Sequence, residues 1–129
     1  MNANIDMALN KGPIIDLALL LLEARNTSHI LHLKTRSYAQ HMALNDFYEG
    51  ILDIFDKIVE TYQGKYGIIS GYGKSIRIDE NAVPVKYIES VLNELESLRK
   101  EFKDGWIQQI IDDAIELTTS TLYKLKFLS

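Results

Sequence analysis

The strongest constraint on this chain is a break in it. Residues 64–82, GKYGIISGYGKSIRIDENA, hold four glycines in their first ten positions, and that density of permissive backbone forbids a continuing helix. On either side the apolar residues recur at helical spacing. Nineteen residues is long for a connection inside a compact domain. Extended, such a segment spans on the order of 60 Å, more than the length of a small bundle. It can therefore return the chain from one end of a bundle to the other. Ile76 and Ile78 alternate with polar neighbours, so part of it reads as an extended strap.

The flanking pieces divide into two helical pairs. Gly12-Pro13 marks a helix start, and residues 1–12 read as a short tail in which Asp6 and Lys11 cancel. The first helix is expected over 13–33. Between Ile14 and Leu22 it is apolar on nearly every side except at Asp16, which in a small protein implies a core on one flank and a subunit interface on the other. A tight turn at Lys34–Arg36 makes the second helix, 37–63, an antiparallel neighbour. Ser37 with Gln40 is a capping-box pattern at its start, and Gly64 a natural stop. The third helix is expected over 83–102 and the fourth over 105–127, with Asp104 as N-cap between them. Short, long and short connections specify an all-α fold, a ferritin-like four-helix bundle with a long crossover between helices 2 and 3, as a single domain over 1–129.

Composition excludes several functions. Cysteine is absent, which rules out disulfides and thiolate metal sites. The net charge of −4 argues against a general grip on nucleic acid, and a tail with one lysine and one aspartate neutralises few phosphates, so no tail-mediated DNA binding is expected. The longest apolar run, Leu17–Leu22, is far short of a membrane span, and no signal-peptide pattern is evident. No membrane association is expected, and the expected location is the cytoplasm.

The candidate chemistry lies in residues 29–60. All three histidines, His29, His32 and His41, fall in its first thirteen positions. Asn45, Glu49, Asp53, Asp56 and Glu60 follow at steps of four, four, three and four, which keeps them on one helix face. Imidazole nitrogen with carboxylate oxygen is a ligand set for iron, zinc or manganese. The Glu-x-x-His pairs of di-iron bundles are missing, because Asn26, His29 and Tyr38 stand three residues before the histidines. His41 and Asp56 lie about 22 Å apart along one helix and cannot share a metal within a chain. His29 and His41 sit on opposite arms of a short hairpin and can approach each other. Two hairpins packed antiparallel about a two-fold would place His29 and His41 of one chain against Asp56 and Glu60 of the other, giving two sites per dimer.

The stretch SHILHLKTRSYAQHMALNDFYEGILDIFDKIVETYQG resembles the ferroxidase segment of the Dps mini-ferritins. That family has two histidines twelve apart, an aspartate fifteen further on and a glutamate four beyond it. His29, His41, Asp56 and Glu60 reproduce those intervals without a gap. The resemblance implies an iron site at a dimer interface, oxidation of Fe(II) by peroxide or oxygen, and a twelve-subunit shell. In this frame His32 supports the ligands rather than joining them, and Asp53 is a supporting or structural carboxylate. The segment departs from the family at Ile30, Asn45 and Thr61, where tryptophan, aspartate and arginine are usual. The sequence HMALNDFYEG…VETYQGKYG also looks like small proteins encoded by tailed phages, in which case the compartment would be the host cytoplasm.

The plainer readings stand beside these. Glu49 reads as part of a solvated face, Tyr62, Tyr66 and Tyr72 as loop anchors, and Trp106 as core at a helix start. Two function classes follow. One is a mini-ferritin that oxidises and stores iron for oxidative protection. The other is a non-catalytic ferritin-like structural or interaction protein.

Overall fold

The computed structural model describes the backbone of residues 2–129 and the side chains from Gly12 onward. Four helices, α1 (Asn2–Lys34), α2 (Tyr38–Tyr66), α3 (Pro84–Arg99) and α4 (Gly105–Phe127), pack around one core, and there is no strand among the described residues. Every neighbouring pair is antiparallel. α1 packs on α2 and α3, and α4 packs on α2 and α3, so α1 and α4 face each other diagonally, as do α2 and α3.

The crossover produces this order. From the end of α2 the chain climbs along α1: Lys74 meets Asp16 at 3.4 Å, and the Arg77 backbone N–H donates to Glu23 Oε1 at 2.7 Å. Lys34 Nζ then donates to the Glu80 carbonyl at 2.9 Å. Having passed along α1 from Asp16 to Lys34 in this way, the chain enters α3 parallel to α2, with the long second connection of a ferritin-like bundle. Ile69 is buried beneath the strap, with Tyr72 and Ile76 half-buried, while Ile78 faces outward. The expected alternation therefore packs only in part: Ile76 and Ile78 would share a face of a regular strand, yet only Ile76 turns inward, and no ladder forms.

Three helix limits differ from the sequence expectation by three residues or more. α1 runs back to Asn2 through the expected tail, with Pro13 inside it. Before Pro13, Ala3, Met7, Ala8, Leu9 and Lys11 are good helix formers, and the proline lacks the N–H that would bond to the carbonyl one turn earlier. The side chains of Asp6 and Lys11, on which the DNA expectation rests, lie outside the described residues. α2 passes through Gly64 and ends instead at Gly67, which takes a φ of 94° and donates its N–H to the Gln63 carbonyl. At the other end Ser37 Oγ accepts from the Gln40 N–H at 3.2 Å, but the return arm of the box is relayed. Thr35 Oγ1 donates to Gln40 Oε1 and accepts from the Ser37 N–H.

α3 stops at Arg99, three residues early. Asp104 stands at the N-cap of α4 without capping it, because its Oδ2 is taken by the Tyr66 hydroxyl at 2.6 Å and by Lys65 at 3.4 Å. The core is built from the inward stripes of all four helices. Leu17 and Leu21 of α1, Phe47 and Ile51 of α2, Leu95 of α3 and Ile111 of α4 are each at most 1% exposed. Among the described residues no helix is long and apolar enough to cross a membrane.

Candidate functional site

Near its hairpin end the α1–α2 seam is closed by imidazoles rather than aliphatic side chains. His32 Nδ1 lies 2.7 Å from the His41 carbonyl, and His41 Nδ1 lies 2.9 Å from the His32 carbonyl. A carbonyl can only accept, so each Nδ1 carries the proton and donates it. The two rings stack with centroids 3.7 Å apart and planes 20° apart. This exchange leaves Nε2 as the open nitrogen of both rings when they are neutral. Metal-binding imidazoles are oriented in this way, with one N–H fixed by a carbonyl and the other nitrogen free.

His29 occupies the next turn of α1. It stacks on Tyr48 at 4.2 Å and touches His32 edge-on at 5.9 Å. Tyr48 in turn donates its hydroxyl to Asn45 Oδ1 at 2.8 Å, and the Arg25 guanidinium sits 5.4 Å from the Tyr48 ring centre. Burial first, then the Arg25 charge and His32, hold the His29 pKa below the ordinary imidazole value, which favours its neutral form at pH 7. His32 thus touches both of the others, stacked on His41 and edge-on to His29.

The carboxylates are placed differently. Asp53, Asp56 and Glu60 are all exposed on the outer side of α2. None approaches the imidazoles of its own chain, since Asp56 is about 22 Å along the helix from His41. Among the described residues of one chain, no group of three or more histidine and acidic side chains is arranged to hold a metal ion. One chain therefore carries its clustered imidazoles and its exposed Asp53, Asp56 and Glu60 at separate positions along the α1–α2 pair.

Arg25 and Tyr48 were not singled out by sequence reasoning. Their signal was present in the spacing: Arg25 lies four residues before His29, and Tyr48 seven after His41, so each shares a face with an imidazole. At the far end of α2, Tyr62 is a core residue, 1% exposed, rather than a loop anchor. Its hydroxyl has no hydrogen-bond partner among the described residues, and burial, with Tyr66 and Asp104 adding to it, pushes its pKa up to about 12. Trp106 is half-buried beside Lys65.

Comparison with known proteins gives the family. The model of a "Family of unknown function (DUF5856)" matches residues 32–125, from His32 through most of α4. The chain belongs to this DUF5856 family. A relative within reach is the "Uncharacterized 14.6 kDa protein in mobD-ri intergenic region" of Enterobacteria phage T4. It is 34% identical over 112 residues, covering 84% of this chain and 81% of the phage protein. No solved structure matches the chain. The span matched by the DUF5856 model contains His32, His41, Asp56 and Glu60, and leaves His29 outside.

Proposed function

We propose that this protein is a Dps-like mini-ferritin that binds Fe(II) at a site shared by two copies and oxidises it with peroxide or oxygen, serving iron storage and oxidative protection. The observation that carries the reading is the reciprocal His32–His41 clasp. It fixes two imidazoles with each Nδ1 engaged and each Nε2 left for another partner, while Asp56 and Glu60 of the same hairpin are exposed and have no ion pair among the described residues. His41, together with His29 or His32, supplies the nitrogen ligands of one chain, and Asp56 and Glu60 of the two-fold mate supply the oxygens. Neutral imidazole suits Fe(II), and carboxylate favours the Fe(III) product. Asp53 lies one turn before Asp56 and is placed to support it. A twelve-subunit shell in the cytoplasm, or in the host cytoplasm for a phage-encoded protein, is the assembly and compartment that this reading implies.

A second reading has its own support. The stacked His29, Tyr48, His32 and His41 rings and the two carbonyl hydrogen bonds join α1 to α2, contacts that a purely structural seam would also use. On that reading the protein is a ferritin-like structural or interaction component of the DUF5856 family. Anaerobic Fe(II) titration followed by addition of oxidant, with mass measured in parallel, separates the two. Saturable binding near one or two ions per chain, lost in Asp56→Asn with assembly intact, is expected of the iron site. Oxidation no faster than buffer would leave the structural reading.

A further inference from the structure

The α1–α2 face carries an unmatched cation. Arg25 is half-buried, its Nε is sealed from solvent without an acceptor, and its Nη1 reaches only the side chain of its neighbour Asn26, at 3.2 Å. No carboxylate pairs with it among the described residues. A partly desolvated guanidinium without a counter-ion is costly, and bidentate carboxylate is its best complement. The same face carries the opposite imbalance on α2, where the exposed Glu49, Asp53, Asp56 and Glu60 also lack intrachain ion pairs. A face with unmatched charge of both signs at different heights is complementary to a second copy of itself turned over.

The register of that copy can be worked out. The His32–His41 carbonyl exchange sets those residues level on antiparallel helices of equal rise. Seven residues back along α1 is Arg25, and seven on along α2 is Tyr48, which agrees with the guanidinium lying over the Tyr48 ring. A two-fold that sets His41 opposite the mate's Asp56 crosses α2 midway between them, at the Tyr48–Glu49 step. Arg25 is therefore at the height of the axis, where the exposed anionic residue is Glu49.

We infer that Arg25 of each copy pairs with Glu49 of its two-fold mate, and that these two central ion pairs set the register in which the imidazoles of one chain meet Asp56 and Glu60 of the other. The inference rests on the shared-site reading for its register, but its test requires no iron. Self-association of metal-free protein is measured by sedimentation velocity for the parent, Arg25→Glu, Glu49→Arg and the double variant. Each single reversal should weaken the dimer about a hundredfold, roughly tenfold for each of the two symmetric pairs, and the double reversal should restore it to within a few fold. Glu49 is exposed, so Glu49→Arg keeps the fold, and Trp106 fluorescence verifies this for every variant.

A parent that stays monomeric, singles that associate like the parent, or a double variant that does not recover would each overturn the pairing. Rescue in the double variant by a protein that oxidises no iron would uphold the pairing and defeat the iron reading. Iron oxidation by a dimer indifferent to both reversals would do the opposite.

Discussion

The two hairpins of the bundle close their seams by different means. Between α3 and α4, charge is settled inside the chain. Arg99 Nε and Nη2 donate to both oxygens of Asp112, at 2.6 and 3.1 Å, and Lys126 reaches Glu89 at 3.5 Å. Between α1 and α2 no ion pair joins the helices among the described residues. Stacked imidazoles and carbonyl bonds take that place, while Arg25, Glu49, Asp53, Asp56 and Glu60 have no ion pair among the described residues. A hairpin serving only the fold would be expected to resemble the first. Beside its imidazole clasp the second leaves Arg25, Glu49, Asp53, Asp56 and Glu60 adding little to the stability of one chain, as the proposed pairing with a second copy requires.

The comparison can be broken most sharply at His32. If the imidazole clasp joins α1 to α2, His32→Ala should lower stability by about 2 kcal/mol, through loss of the stack and of a partner for the His41 carbonyl. Urea unfolding gives the value, and because the seam contains no ion pair the loss should be nearly independent of salt. A change within error would mean that the apolar core alone holds the hairpin.

Next in size is a change at the other end of α2. Tyr62→Phe removes a sealed hydroxyl that has no partner, so it should raise stability by about 1 kcal/mol. Destabilisation in the same urea series would show that the hydroxyl is satisfied in solution.

The smallest effect belongs to the seam that settles its own charge. The hydrogen bond from Arg99 holds the Asp112 carboxyl below its ordinary pKa of 3.8. A depressed carboxyl adds stability above the unfolded value, and that stability is lost as pH falls through the folded one. Arg99→Gln should therefore flatten stability against pH only below about pH 4. Both groups are exposed, so the change should be slight and should shrink further in salt. A pH profile altered near neutrality would contradict it.

Much of the fold was legible because it rests on patterns local to each helix. The glycines of 64–82 announced the crossover, and Ser37 announced the start of α2. Asp104 misled as a cap because its competing partner, Tyr66, is 38 residues away in sequence. Gly64 misled as a stop because the positive-φ terminating glycine could be supplied three residues later by Gly67. The candidate site was half legible. Helical spacing placed the carboxylates on one face and separated them from His41. It could not choose between His29 and His32 as the neighbour of His41, since that depends on how one helix is rotated against the other. Nor could it show that Arg25 lacks a carboxylate, which requires the positions of every acidic side chain around it.

The central claim is that each site takes its imidazoles from one chain and its carboxylates from another. It is tested most directly by counting tightly bound Fe(II) in isolated hybrid dimers of His41→Ala and Asp56→Asn. Each parent variant carries a lesion in both of its sites and should bind almost no iron tightly. In the hybrid, both lesions fall in one site and the other is whole, so tight binding should return to about half that of the unmodified dimer. A hybrid that binds no more than its parents would contradict the shared site.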